Sequence, residues 1–439
     1  MSTARRWAVG AGALLLAGAA LVGFLNMRDE ADVSTPIAYA PSDSLIARGA
    51  YLARAGNCMT CHTARGGQPY AGGRAMATPF GTVYTSNLTP DANTGLGSWS
   101  AAYFWRALHN GRSKSGRLLY PVFPYANYTQ VTRADSDALF AFLRTLPTVN
   151  QPNRRHALRF PYQSQAALAV WRALYFRPGV YQADASRSAE WNRGAYLVRG
   201  LGHCAACHGA RDALGGTRTA LDLSGGLIPM QNWYAPSLTS PHEAGVGDWA
   251  REDIVRLLKN GVSPPGSVSG PMSEVVQGST QHLTNEDLGA MAVFLKELPP
   301  ARTAPEAAPV PVRPAIPAAS TATTATTAKA AKAAKLYEQH CAQCHGNQGQ
   351  GVPGAYPALA GNRAVTMAST VNLVQMVLNG GFPPATAGNP RPFGMPPFVL
   401  VLQDGDVADV LTHLRSAWGN QASPVTPQDV HRIRANQGR

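Results

Sequence analysis

One long stretch near the start of the chain is predominantly apolar and uncharged throughout. Trp7 to Met27 carries no charged side chain and is rich in Ala, Leu, Gly and Val, and Arg5 and Arg6 stand just before it. A helix needs about 20 such residues to span a bilayer, and a basic flank ahead of an apolar run is the pattern of an export signal. The nearest small-x-small sequence is Ala38-Tyr39-Ala40, and Pro41 behind it makes a poor cleavage site. Residues 1–40 therefore read as a signal peptide or as a retained N-terminal membrane anchor. Beyond them the apolar positions follow a helical period. Arg48-Gly49-Ala50-Tyr51-Leu52 recurs as Arg193-Gly194-Ala195-Tyr196-Leu197, with a fainter echo at Lys335-Leu336-Tyr337, and each reads as a short amphipathic helix. Further helices are expected over Asp135 to Leu146, Glu286 to Leu298 and Asp404 to Trp418. In the first two, Leu139 with Phe142-Leu143 and Met291 with Phe294-Leu295 fall at i, i+3, i+4, the spacing of a buried stripe. Pro147 and Pro299 follow as stops. Strand-like alternation is scarce, so the fold class is all-α.

The repeats also divide the chain. Asn87-Leu88-Thr89-Pro90 followed by Gly95-Leu96-Gly97-Ser98-Trp99 is matched by Ser237-Leu238-Thr239-Ser240 followed by Gly245-Val246-Gly247-Asp248-Trp249. At 439 residues there is length for three separate cores, and the pattern places domains at 41–150, 189–300 and 333–425. The connector 151–188 contains Trp171, Leu174, Tyr175 and Phe176 and is expected to pack. From Pro299 to about Lys335 the chain is Pro-, Ala- and Thr-rich, so the linker 301–332 reads as a partly extended tether that leaves domain three more loosely attached. Residues 426–439 read as a polar C-terminal tail. The net charge of +13 comes from scattered Lys and Arg, without the basic helix or arm that tracks phosphates. Nucleic acid is thereby set aside, and an acidic partner surface or an anionic membrane fits this charge better.

All six cysteines fall in three copies of one motif: Cys58-Met59-Thr60-Cys61-His62, Cys204-Ala205-Ala206-Cys207-His208 and Cys341-Ala342-Gln343-Cys344-His345. C-x-x-C-H is the attachment motif of c-type haem. Two residues between the cysteines let both sulfurs reach one porphyrin edge, and the adjacent His becomes the proximal iron ligand. A thioredoxin-like redox pair would need a βαβ context, and a zinc knuckle would need its cysteine pairs close together. Three covalently bound haems are expected, in three tandem class I cytochrome c-like domains. Each haem carries two propionates, which would lower the positive charge of the loaded protein.

The sixth iron position is commonly filled by a Met from a later loop, which raises the potential. Met272, in Gly270-Pro271-Met272, and Met395, in Gly394-Met395-Pro396-Pro397, stand at that place in repeats two and three. Repeat one has Phe123 there, in Tyr120-Pro121-Val122-Phe123-Pro124-Tyr125, and the ring is read as packing on the porphyrin. Its sixth ligand stays open, with Met76 and His109 as candidates and five-coordinate iron as the third option. His156, His242 and His431 read as surface residues. No Ser-His-Asp arrangement, nucleotide-binding glycine pattern or paired carboxylates suggest acid–base or nucleophilic catalysis, so no catalytic residue is assigned.

On these motifs the chain resembles the triheme cytochrome c subunit of membrane-bound periplasmic dehydrogenases that act on alcohols, gluconate, fructose, sorbitol or aldehydes. The resemblance implies an electron-transfer subunit with no substrate site of its own. It would accept electrons from a catalytic subunit carrying flavin, pyrroloquinoline quinone or a molybdenum cofactor, and pass them to ubiquinone or a terminal oxidase on the periplasmic side of the inner membrane. Cys58, Cys61, Cys204, Cys207, Cys341 and Cys344 then hold haem, His62, His208 and His345 are proximal ligands, and Met272 and Met395 are distal ligands. Phe123 departs from family members with Met at that point. Two alternatives are a self-sufficient haem enzyme using the first haem, such as a peroxidase, and a freestanding electron shuttle.

Overall fold

The computed structural model describes residues 2–30, 32–33, 41–217, 219, 222–300 and 320–435. The chain forms two compact units, Met1–Asp222 and Leu223–Arg439. The first contains, in order, α1 Thr3–Met27, α2 Asp43–Ala55, α3 Cys58–Cys61, β1 Ala75–Thr78, β2 Gly81–Tyr84, α4 Ala101–Asn110, α5 Tyr125–Tyr128, α6 Arg133–Leu143, β3 Ala157–Leu158, α7 Gln165–Tyr175, α8 Ala189–Arg199 and α9 Ala205–His208. The second contains β4 Gly226–Ile228, β5 Trp233–Ala235, α10 Arg251–Asn260, β6 Val262–Ser263, β7 Gly266–Ser267, α11 Pro271–Gly278, α12 Asn285–Lys296, α13 Ser320–His340, α14 Ala342–His345, α15 Arg363–Thr366, α16 Val371–Asn379, α17 Asp404–Ser416 and α18 Pro427–Ala435. The boundary between units falls inside the second repeat, leaving its cysteine motif in unit one and its closing helix in unit two. Helices carry the cores. The strands form only small antiparallel ribbons, β1-β2-β3, β4-β5 and β6-β7.

In unit one the core is the crossing of α2 and α6. Leu52, Leu139, Phe140 and Leu143 are buried there, each worth roughly 1.5–3 kcal/mol relative to exposure. The crossing is close because Gly49 has no side chain: a Cβ at that position would strike the Ala138 carbonyl. Ser42 caps α2 by accepting from Leu45 N, and Thr132 caps α6 by accepting from Asp135 N. Arg48 reaches across to Asp135, donating from Nε at 2.7 Å. The other Asp135 oxygen accepts from Tyr196 of α8 at 2.6 Å, which joins the second repeat's first helix to the first repeat's last. The 151–188 connector contributes α7, capped by Ser164; Leu168, Ala173 and Phe176 are buried, and Trp171 Nε1 donates to Leu214 O at 3.0 Å.

Helix α1 spans the apolar segment. It is long and apolar enough to cross a membrane, with Trp7, Leu14, Leu15, Leu16 and Phe24 exposed. The Ala38-Tyr39-Ala40 site lies outside the described residues.

In unit two, α13, α16, α17 and α18 enclose a core of Tyr337, Val374, Leu378, Val407, Leu411, Val430 and Ile433, among others. Two sequence expectations are corrected here. Residues 301–319 of the expected tether lie outside the described residues, but the chain from Ser320 onward is helical rather than extended. Alanine is the strongest helix former, and the helix packs on α17, where Lys332 Nζ lies 2.7 Å from Asp406 and Lys329 Nζ 3.3 Å from Asp409. The expected C-terminal tail is instead the packed helix α18: Val430 and Ile433 place apolar groups at i, i+3 in the core, and Arg434 donates to Val399 O and Leu402 O.

Domain three is also not held by the linker alone. Asn372 exchanges hydrogen bonds with the backbone of Tyr234, at 2.8 and 2.7 Å. Gln375 donates to Asn232 O at 2.8 Å, and Arg363 pairs with Asp248 at 2.5 Å. These polar side chains join the later half of repeat two to repeat three, and linker composition carries no information about them.

Candidate functional site

At the first cysteine motif, α2 runs out at Gly56 and Asn57 takes a left-handed turn, φ 50°, into α3. Thr60 Oγ1 donates to Asn57 Oδ1 at 2.5 Å, and Arg74 donates to Thr60 O at 2.7 Å. His62 follows as the cap of α3, and its Nδ1 lies 2.7 Å from Ser86 O. Nδ1–H donating to a carbonyl fixes the tautomer and leaves Nε2 as the free lone pair, the arrangement expected of a metal-ligating imidazole. Burial lowers the His62 pKa, and the Ser86 bond opposes it. Cys58 is pushed up to about 12 by burial first and by Cys61 second. Such thiols differ from the acidic cysteines of redox and metal sites.

The third motif has the same design. Helix α13 delivers Cys341, and α14 ends at His345, whose Nδ1 is 2.9 Å from Pro357 O. Burial lowers His345 and that bond opposes it, while burial and Cys344 push Cys341 up to about 11. Tyr337 donates from its hydroxyl to Gly346 O at 2.5 Å and braces the turn. At the second motif, His203 takes φ 37° before Cys204, and burial followed by Cys207 raises Cys204 to about 12.

The first two motifs are neighbours in unit one. The Cys207 pKa is raised by burial and lowered by Arg211, and it also feels Cys61. Tyr128 and His203 line the ground between them. The Tyr128 hydroxyl donates to Gly56 O at 3.3 Å, His203 Nε2 lies 3.4 Å from the same oxygen, and the two rings meet edge to face at 5.6 Å. Sequence reasoning passed over both residues; the only signal was a histidine directly before the second motif.

The distal candidates separate into three cases. Met395 borders the unit-two core together with Cys341, and its backbone pairs with Gly381 in both directions, at 2.8 and 3.0 Å. Met272 is not in a loop as expected but in the first turn of α11, after Pro271 at the helix start. Trp233 covers Gly270 there. Pro271, Glu274, Trp233, Gly380, Gly381 and Phe382 line one cleft of about 480 Å³, so the segments bearing Met272 and Met395 approach each other in unit two.

In the first repeat, Phe123 packs against Tyr128 at 5.3 Å and Tyr125 at 6.5 Å, placing an aromatic cluster beside the first cysteines. Met76 sits half-buried in β1 opposite Val83. His109 is buried at the end of α4, stacked on Trp105 at 4.6 Å, with Nδ1 3.1 Å from Thr129 O. In repeat two Lys259 makes the matching tie to Leu283 O, which favours a structural role for this position. His156, His242 and His431 are exposed.

No group of three or more His, Cys, Asp or Glu that could hold a metal ion occurs among the described residues. At the first and third motifs, paired thiols followed by an imidazole with its Nδ1 tied to a carbonyl suit thioether attachment and axial ligation of haem. The sequence profile described as cytochrome c matches residues 46–147, 192–299 and 330–418, one match over each motif, and the three cysteine pairs fit three covalent haem c groups. Along nearly its whole length the chain is similar to curated proteins. It is 37% identical over 414 residues to the cytochrome c subunit of alcohol dehydrogenase (quinone) from Gluconacetobacter polyoxogenes, covering 91% of this chain and 86% of that protein. It is 36% identical to the gluconate 2-dehydrogenase cytochrome c subunit of Pantoea cypripedii, covering 90% and 91%. Identity is 33% to the fructose dehydrogenase cytochrome subunit of Gluconobacter japonicus, covering 96% and 87%.

Proposed function

The chain belongs to the cytochrome c family, with three of its domains in tandem, and from that premise we propose that it is the electron-transferring subunit of a membrane-bound dehydrogenase. It accepts electrons from a catalytic partner chain and delivers them to ubiquinone or an oxidase at the periplasmic face of the inner membrane. The observation that carries this reading is full-length similarity to cytochrome subunits of alcohol, gluconate and fructose dehydrogenases.

Haem, when bound, supplies one-electron transfer at its iron. The chain's own residues hold it and tune it. Cys58 with Cys61, Cys204 with Cys207, and Cys341 with Cys344 are the thioether positions. His62, His208 and His345 are the proximal ligands, with the Ser86 and Pro357 carbonyls orienting the first and third rings. Met272 and Met395 are the distal ligands of the second and third sites. At the first, Phe123 and Tyr128 supply an aromatic wall, and the sixth position falls to Met76, to His109 or to no side chain. Carrying three domains on one chain keeps donor and acceptor sites at high effective concentration. The substrate belongs to the partner chain.

The test is purification from the native host's membranes in mild detergent, with identification of co-purifying chains and addition of ethanol, gluconate or fructose. A stoichiometric dehydrogenase and substrate-driven reduction of the haem bands are expected. A lone chain whose bands do not respond to any substrate would overturn the reading in favour of a freestanding shuttle or a self-sufficient haem enzyme.

A further inference from the structure

The last turn of α1 is bound into the first unit by a set of polar contacts that a discarded leader would not need. Asn26, at 9% exposure, donates from Nδ2 to Ala169 O of α7 at 2.9 Å and accepts from Arg172 Nε at 3.0 Å. Arg112 donates to Asn26 O at 2.9 Å, and Asn110 donates to Asp29 O at 2.8 Å. Glu30 lies 3.6 Å from Arg106 and 3.4 Å from Arg112. Arg106 and Arg172 are themselves buried, at 8% and 3% exposure, and Arg172 also donates to Asn110 O at 2.8 Å. Burial lowers the Arg112 pKa, Glu30 opposes this, and Arg172 and Arg106 add to it. Three guanidiniums are thus crowded into one cradle, where Glu30 lies within ion-pair distance of Arg106 and Arg112 and Asn26 accepts from Arg172 and Arg112. Buried charges without such partners are strongly destabilising.

We propose that α1 is retained in the mature protein as a docked membrane anchor, with residues 26–30 forming a structural part of the first domain. Cleavage behind Ala40 would strip the arginine cradle of Asn26, Asp29 and Glu30. Upstream of the cradle, Leu14, Leu15, Leu16, Leu21 and Phe24 are exposed, as expected for a segment whose partner is lipid. A clamp at both α4 and α7 orients the first domain on the bilayer, where a flexible stalk would leave it free to turn. The exposed Val170 and Leu174 lie on the helix that receives Asn26, and in this arrangement they face the lipid at the foot of the anchor. The inference is independent of which dehydrogenase or acceptor the chain serves.

Two measurements on the haem-loaded, full-length protein from native membranes test it. Intact-mass analysis is expected to show a chain that still contains Thr3–Met27; a mass corresponding to a start at Pro41 would overturn retention. Hydrogen exchange of the peptide covering residues 22–33 is then compared between the native chain and a variant carrying Asn26→Leu with Glu30→Gln. The variant is expected to keep three haems and its membrane attachment while this peptide and the end of α4 exchange about tenfold faster or more, as local opening follows the loss of buried contacts. Unchanged exchange would show that the anchor is tethered and not docked.

Discussion

An imidazole that serves a metal must present one nitrogen and secure the other, and in His62 and His345 one nitrogen is secured by a backbone carbonyl. The position of the His directly after the cysteine pair is plain in the sequence. The Ser86 and Pro357 carbonyls are not, because a backbone acceptor has no residue signature. Distal ligation is the sharper test at this scale. Met395→Leu conserves volume and costs under ~1.5 kcal/mol in a core, so the third domain is expected to fold and keep its haem. Loss of the thioether should lower the potential of one haem, since axial ligation commands a range of about 0.8 V. Spectroelectrochemical titration checks this, and three unchanged potentials would remove Met395 from the iron. A second prediction concerns His413, whose pKa burial holds below its ordinary value, about 6.5. As pH falls the unfolded chain takes up this proton first, so the contribution to stability is complete above about pH 6.5 and is lost as pH drops through 6.5 toward the lower folded-state value. Urea midpoints of the third domain should fall between pH 7.5 and 5, and His413→Phe should flatten part of that slope. An identical slope in the variant would assign the pH response to other groups.

Helix pairs are the next level, and here the sequence was most readable. The expected helices near 135–146, 286–298 and 404–418 occur as α6, α12 and α17, because each combines an apolar stripe with an N-terminal cap, as at Thr132 and Thr284. Where the period fails, reading from sequence failed too. The Ala- and Lys-rich start of α13 has no apolar face to detect, and α18 shows only Val430 and Ile433. Their helicity depends on α17 and on the Arg434 contacts, which are tertiary. The same dependence makes the α2–α6 crossing a sensitive point. Gly49→Ala pushes a methyl into the Ala138 carbonyl, and overpacking of this kind costs about 1–3 kcal/mol. Thr132→Ala removes only the cap, at about 1 kcal/mol. Denaturant midpoints are expected to rank Gly49→Ala as the more damaging change; the opposite order would mean that the helices separate readily and that the close approach is not what stabilises the pair.

At the scale of the whole molecule, the arrangement of sites within each unit suggests an order of transfer. Unit one brings Cys61 and Cys207 within electrostatic reach, and unit two brings the Met272 segment against the Gly380–Phe382 edge that pairs with Met395. The second motif stands between the first and third along the chain, so its site is expected to mediate exchange between the other two. Replacing Cys204 and Cys207 by Ala should yield two haems per chain by pyridine haemochrome assay. In membranes containing the partner enzyme, substrate should then reduce one remaining haem rapidly and the other slowly or not at all. Because losing a haem can compromise folding, Met272→His provides the companion variant. It keeps an axial ligand but lowers the potential of the middle site, which should slow transfer across it while leaving three haems in place. Rapid-mixing spectroscopy resolves both cases. If the outer haems still equilibrate at the native rate in either variant, the second site is a branch and not a bridge, and the two pairings describe packing without electron flow.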